Sequence, residues 1–397
     1  MLLHGYKVVE LATFIAGPAA AGMMADWGAD VVKVEALTGD AIRWVRPEIR
    51  PDIPPNFEID NHGKRAIALD FSKPAGKRIV MDLLKDADVF ITSMRQSSLA
   101  RAGLDYATLS QSHPQLVYAS VSGYGAVGPA AELTAFDLTA FWSRSSVASQ
   151  TWLSDAMPSS IPSGLGDHIT GISAALGVMT GLASRAKTGK GRFVDISLLR
   201  TGVYVGSYAM SEWTRRGLAI GPSARAGAEN SLFYPTADGR WFSYYSHNPV
   251  REWPFIVAAA GRPELADDAR FQTPEARRAN GRALIEALDA GFRTRTLTQI
   301  AEILDQSGMA WSPVQTVAEA VQDPLIQAAN CFVEVDDGQG GAFEIAGPPV
   351  GFPGDEPRRA SIVPRIGEHT DELLRELNYD AAAISELKRE GIVRQAD

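Results

Sequence analysis

Short apolar runs and helically spaced stretches alternate through the first 125 residues. Tyr6 to Leu11, Asp30 to Glu35, Ala66 to Phe71, Asp88 to Thr92 and Leu116 to Ser122 read as strands. Between them, Gly17 to Trp27 predicts a helix rich in small residues. Pro74 to Ala87 predicts another, with Pro in its first turn and apolar side chains at 79, 80, 83 and 84. Leu99 to Gly103 and Tyr106 to Ser110 add short helical pieces. Strands alternating with helices imply a largely parallel sheet covered on both faces, an α/β fold.

A long apolar run, Ile169 to Leu182, follows Gly164-Leu165-Gly166-Asp167-His168 and stops at Lys187-Thr188-Gly189-Lys190-Gly191. Basic residues in the last turn with Gly beyond them are a helix stop, and Walker spacing is missing. Phe193 to Leu198 reads as a strand and Val203 to Arg216 as a helix. The texture changes near residue 218. Ser231 to Tyr245 predicts a hairpin turning at Asp238-Gly239. Amphipathic helices follow at about 249–260, 274–293 and 297–308, then Val317 to Val321. Phe332 to Val335 and Ala342 to Ala346 predict a later hairpin, Pro348 to Pro357 a connection, and Thr370 to Leu377 with Asp380 to Glu390 the closing helices.

A chain of 397 residues exceeds one ordinary core, so two domains are expected. The net charge of −9 without a basic stripe argues against nucleic acid, and no apolar stretch reaches a membrane span. Cys331 is the only cysteine, which fits a reducing cytoplasm, and the pattern around it predicts a buried small residue in a strand. The six histidines lack metal-ligand spacing, so no metal is expected, and the N-terminus lacks a signal-peptide pattern.

Asp167 is the candidate for chemistry. It reads as an N-cap, and the free N–H groups and dipole of a helix start favour an ionised carboxylate, as a nucleophile requires. Three patterns carry less. Gly123-Tyr124-Gly125-Ala126-Val127-Gly128 matches a dinucleotide fingerprint, but Pro129 follows at once and the later acidic residue is missing. Ser163, Asp167 and His168 invite a triad reading, but neighbours at a helix start do not face one another. Trp241, Phe242, Tyr244 and Tyr245 alternate as a half-buried strand does.

An ordered series of segments runs along the whole chain: Val9-Glu10-Leu11-Ala12-Thr13-Phe14-Ile15-Ala16-Gly17-Pro18, Asp30-Val31-Val32-Lys33-Val34-Glu35 with Thr38-Gly39-Asp40, Asn61-His62-Gly63-Lys64-Arg65, Ser93-Met94-Arg95, Ser120-Val121-Ser122-Gly123-Tyr124-Gly125, Gly166-Asp167 and Gly367-Glu368-His369-Thr370-Asp371. In this the chain resembles the class III CoA-transferases, the family of formyl-CoA and carnitine CoA-transferases and α-methylacyl-CoA racemase. The resemblance implies a Rossmann-like large domain, a smaller α+β domain and an interlocked-ring homodimer. The implied division is 1–200 for the first part of the large CoA-binding domain, 201–222 for a linker helix, 223–330 for the small domain, 331–360 for a return linker and 361–397 for the rest of the large domain.

The resemblance further implies that Asp167 attacks an acyl-CoA donor, and that CoA passes to a carboxylic acid through an aspartyl anhydride and an aspartyl-CoA thioester. CoA is then a substrate, and no permanent cofactor is implied. CoA contacts map onto Phe14, Ile15, Ala16, Leu69, Ser93, Met94, Arg95 and Arg101, with the two arginines as phosphate candidates. Phe136 and Asp137 map onto the substrate pocket. The chain departs from its relatives at Ala36, where some carry a basic residue, at Ser93-Met94, which replace Asn-Phe, and at Thr134, which replaces a Lys. Racemases of the family place a His where Phe136 stands, and Phe136 cannot carry a proton. His168 is displaced along the chain from that position. Transfer is therefore the leading expectation, with an acyl-CoA racemase or a non-catalytic CoA-binding homologue as alternatives. Phe136 and the aromatic residues near 241–245 favour a larger, less polar acyl group than formate or oxalate.

Overall fold

A computed structural model describes residues 1–45, 55–151, 161–218, 231–336, 340–353 and 362–396. These fall into two compact units. The larger takes the described parts of Met1–Ser149, Ser160–Gly217 and Ala329–Asp397, and the smaller those of Gln150–Ser159 and Leu218–Ala328.

The larger unit is built on β1 (Lys7–Leu11), β2 (Asp30–Glu35), β3 (Arg65–Leu69), β4 (Val89–Thr92), β5 (Val117–Ser122) and β6 (Phe193–Ser197). They pair in parallel in the order 3-2-1-4-5-6, with Val9 opposite Val32 on one side and Phe90 on the other. A two-residue strand, Val393–Arg394, adds antiparallel to β3 and closes that edge. Alternate residues face opposite sides. Val9, Leu11, Val34, Ile67, Phe90 and Tyr118 meet the helices Pro74–Leu84, Gln96–Ala102 and Tyr106–Ser112 together with the C-terminal helices. Val8, Val31, Val89, Ile91 and Ala119 meet the helices Ala16–Asp26 and Leu165–Thr188. The helix after β1 thus lies on one face and the helix after β4 on the other. The crevice between these strands at their carboxyl ends is the switch point of a doubly wound sheet, where such folds bind ligands.

In the smaller unit, β7 (Ser231–Pro235), β8 (Trp241–Tyr245) and β9 (Ala310–Pro313) form an antiparallel sheet. Phe242 and Tyr244 point into a core with Tyr234, Trp253, Phe271 and Phe292, while Trp241 and Tyr245 point out, as the alternation predicts. The second hairpin, Phe332–Asp336 with Ala342–Ala346, forms as expected and belongs to the larger unit.

Several boundaries differ from the sequence reading. Asp167 is not the N-cap: the helix begins at Leu165 behind Gly164, whose φ of 77° is left-handed. The carboxylate that accepts from its first turn comes from Asp137, on a distant segment, at 3.3 Å from the Gly166 N–H. Val203 to Arg216 is two helices, Leu198–Val205 and Ser207–Arg216, broken at Gly206. The 274–293 helix breaks at Asn280. Cys331 is exposed rather than buried, because it precedes the hairpin instead of lying within it. The helix Pro55–Asn61, the π-helical turn Leu138–Arg144 and β9 escaped the sequence reading, each being short or weakly periodic. Part of the connection Pro348 to Pro357 lies outside the described residues.

Candidate active site

The turn after β1 shapes one wall of the switch-point crevice. Phe14 sits at φ 65°, a conformation a bulky residue adopts only when its surroundings impose it. Its N–H donates to Asp40 Oδ1 at 3.2 Å, and the Thr13 N–H donates to Ser93 Oγ at 3.0 Å, which ties the β1 turn to the β4 turn. Ala16 and Gly17 then open the helix Ala16–Asp26 with N–H groups that have no intrahelical acceptor.

Beneath this turn lies a buried network of three carboxylates and three cations. Lys33 Nζ contacts Glu10 at 2.7 Å and Asp40 at 2.8 Å, and Lys64 Nζ contacts Glu10 at 2.6 Å. Arg43 forks onto Glu35, and Glu35 also accepts from the backbone of Asp40 and Gly367. Lys33 and Lys64 further donate to the carbonyls of Ala12 and Pro18, at the two ends of the turn. Burial acts to lower the Lys33 pKa, and Glu10 with Asp40 more than offsets it, so the ammonium titrates above its ordinary range. Burial brings Lys64 down to about 8 against the pull of Glu10.

The helix Leu165–Thr188 packs unusually close to Ala16–Asp26. A Cβ at Gly171 would fall 2.9 Å from Ala19 Cβ and 3.1 Å from the Ala16 carbonyl oxygen, so only Gly permits the approach. That contact sets Asp167, in the first turn of the longer helix, beside the opening of the shorter one. The Asp167 carboxyl is not held ionised as the helix start alone implies. Burial, and then the neighbouring Asp137, push its pKa up to about 7. Burial also raises Asp137 and Asp60. His168 meets Asp60 Oδ1 through Nε2 at 3.1 Å rather than bonding Ser163 or Asp167, so no triad forms among the described residues.

A cavity of about 600 Å³ opens at the crevice. Among its lining residues are the predicted Phe14, Ile15, Ala16, Ser93, Met94, Arg95, Phe136, Asp137 and Asp167. Phe14 and Phe136 meet edge to face at 5.3 Å between ring centroids. Arg95 donates to Thr134 Oγ1 at 2.7 Å, which fastens the 133–137 segment to the β4 turn. The structure does not bring Leu69 or Arg101 to this cavity. Leu69 packs in the sheet core, and Arg101 bonds Ser98 on its own exposed helix. Sequence reasoning missed the network of Lys33, Lys64, Glu10 and Asp40, and the residue Asp60. Charged residues inside otherwise apolar strands, as in Val31-Val32-Lys33-Val34-Glu35, were the available signal. After β5 the Gly123 to Gly128 segment turns without starting a helix, as its Pro129 predicts. Among the described residues no group of three or more His, Cys, Asp or Glu is placed to hold a metal ion, and no helix is long and apolar enough to cross a membrane.

A doubly wound sheet with a carboxylate set into its switch-point cavity is the class of architecture present here. The family model for CoA-transferase family III matches residues 3–370. The chain is 31% identical to a cinnamoyl-CoA:phenyllactate CoA-transferase of Clostridium sporogenes, covering 98% of this chain and 96% of that protein. It is 28% identical to an (R)-2-hydroxy-4-methylpentanoate CoA-transferase of Clostridioides difficile, covering 99% and 100%. A solved structure of a CAIB/BAIF family protein from Brucella suis superposes with a TM-score of 0.84 at 30% identity, covering 94% of this chain and 99% of that one. The chain belongs to CoA-transferase family III, and it is an enzyme of that class.

Proposed function

We propose that this enzyme moves CoA from an acyl-CoA thioester to a carboxylic acid with Asp167 as the covalent nucleophile. The observation that carries the reading is the place of Asp167: a carboxylate in a largely apolar cavity at the switch point, lined also by Ala16 and Gly17 at the start of the neighbouring helix. An Asp167 oxygen attacks the thioester carbonyl, the C–S bond breaks, and CoA leaves as thiolate, giving a mixed anhydride. The thiolate attacks the aspartyl carbonyl, which releases the donor acid and leaves an aspartyl-CoA thioester. The acceptor carboxylate reverses the two steps, and Asp167 is regenerated. Covalent catalysis divides one hard exchange into easier ones, and backbone N–H groups can hold each oxyanion. A carboxyl titrating near 7 is a stronger nucleophile, once ionised, than one titrating near 4.

Phe14, Ile15, Leu133, Phe136, Trp142 and Ile161 make much of the cavity apolar, which supports an acyl group larger and less polar than formate. Two relatives named for branched or aromatic acids point the same way. In this reading Arg95 and the β4 turn, which line the cavity, meet CoA, and Asp137, which accepts from the Gly166 N–H, holds the start of the nucleophile's helix. Incubation with an apolar acyl-CoA followed by hydroxylamine should label Asp167 alone, read by peptide mass spectrometry, and Asp167→Asn should transfer at least about a thousandfold more slowly. Full activity in that variant would refute the nucleophile.

The reading extends to an interlocked homodimer in a cytoplasmic setting. Tyr204, Tyr208 and Trp213 of the larger unit are 80%, 75% and 60% exposed, and Leu176 and Val205 are exposed as well. So much bare aromatic surface supports a covering subunit. Threaded rings cannot part without unfolding, so sedimentation at about nanomolar concentration should still show a dimer. An active, folded monomer would exclude it.

A further inference from the structure

The pair Asp60–His168 has no role in the reaction as written above, yet its placement is costly. Asp60 is 3% exposed, near the end of the helix Pro55–Asn61. One of its oxygens meets His168 Nε2 at 3.1 Å, and the other is shut off from solvent with no hydrogen-bond partner among the described residues. The backbone of the Ala16–Asp26 helix crosses so closely that a Cβ on Gly22 would stand 2.8 Å from the Asp60 carbonyl oxygen. A buried carboxylate is expensive to keep unless it is paired. His168 follows the nucleophile in sequence, and its backbone N–H donates at 2.8 Å to the carbonyl of Gly164, the left-handed residue at which the nucleophile's helix begins.

We propose that Asp60 and His168 are a positioning pair that holds a positive charge beside Asp167, so that the nucleophile enters the reaction as a carboxylate. The proposal rests on the reading of Asp167 as nucleophile. The charges facing the site come from four elements. Asp137 stands on the segment before Leu138–Arg144. Asp60 comes from Pro55–Asn61. Behind Asp60 lie Lys64, just before β3, and Glu10 of β1. Against three carboxylates at the helix start, His168 is the one titratable side chain among the described residues that lowers both Asp137 and Asp167. Its bond to Asp60 is the largest influence keeping the imidazole protonated above its usual range. Without Asp60 the ring would lose its proton near neutrality. Without His168 an unpaired Asp60 would take up a proton. Either loss removes the same ion pair, so the two should not act independently.

The sign follows directly. A cation beside a carboxyl favours its ionised form, so losing it should move the onset of reactivity to higher pH. The measurement is the rate of Asp167 acylation by an apolar acyl-CoA, read by quenched mass spectrometry from about pH 5.5 to about pH 9.5. In Asp60→Asn, His168→Gln and the double variant, the midpoint should rise by a similar amount. The rate at pH 7 should fall about three- to tenfold, and it should recover to within about twofold near pH 9. The double variant should add no further shift. Asp60→Glu keeps the anion and should keep the wild-type midpoint. Because His168 is 41% exposed, His168→Gln tests the idea even where Asp60→Asn fails to fold. An unmoved midpoint in His168→Gln, additive shifts in the double variant, or a rate at pH 9 as depressed as at pH 7 would each overturn the pair's role while leaving the nucleophile standing. No label on Asp167 at any pH in the wild type would instead overturn the nucleophile, and the pair with it.

Discussion

Two charged clusters lie close together in the larger unit, and they are built on opposite terms. Under the β1 turn, Glu10, Glu35 and Asp40 face Lys33, Lys64 and Arg43, three against three. At the start of the helix Leu165–Thr188, Asp60, Asp137 and Asp167 face one imidazole. The balanced cluster grips fixed points of the backbone, the carbonyls of Ala12 and Pro18 and the N–H of Phe14. The unbalanced cluster leaves Asp60 Oδ2 and Asp137 Oδ1 buried without a hydrogen-bond partner among the described residues. Charge neutrality in a dry interior makes a rigid support, whereas a shortage of positive charge leaves a group whose protonation state is free to change. The contrast separates a cluster that shapes this site from one whose charge state can respond to its surroundings.

The sharpest way to break the contrast is to unbalance the support. Lys33→Ala leaves Glu10 and Asp40 buried without their shared cation and should destabilise the protein by about 3–5 kcal/mol, measured by denaturant unfolding at fixed protein concentration. A loss below about 1 kcal/mol would mean that the network is not a support. A smaller effect of opposite sign is expected from Asp167→Asn. The folded Asp167 titrates near 7 and an unfolded Asp near 4, so the folded state binds its proton more tightly. Wild-type stability is therefore lost as pH rises from about 4 towards 7. The amide escapes that loss. It should be no more stable than wild type at about pH 4, and about 1–2 kcal/mol more stable at about pH 8. Identical unfolding curves at pH 8 would show that Asp167 is not under electrostatic stress. The support should thus lose stability on mutation and the Asp167 site gain it, an opposition common between a fold and a functional site.

The sheet was legible because its strands carry strong apolar runs, and Asp167 because a carboxylate at a glycine-bounded helix start is a local pattern. The cap assignment failed for a physical reason. The carboxylate that caps that helix belongs to Asp137, and nothing near residue 164 announces a partner 29 positions away. The upward pull on the Asp167 carboxyl was equally illegible, since burial and Asp137 act through space. Lys33 and Glu35 were visible as charges in an apolar strand, but their partners Glu10, Asp40 and Arg43, and Lys64 behind Glu10, converge only in the fold. Asp60 lies on a short helix with little periodicity and carries no sequence signal of its own. Leu69 and Arg101 came from the resemblance, and the cavity lies elsewhere.

The strand order 3-2-1-4-5-6 has a consequence for how such a protein can change. The crevice exists because the chain leaves β1 towards one face and β4 towards the other, and no point mutation can alter that. Its lining is different. Leu133 and Phe136 are exposed side chains outside the strands, each replaceable without disturbing the sheet. Location is inherited as connectivity, while selectivity is written residue by residue. A lineage with this topology can drift in what its cavity admits while the carboxylate of Asp167 stays in place.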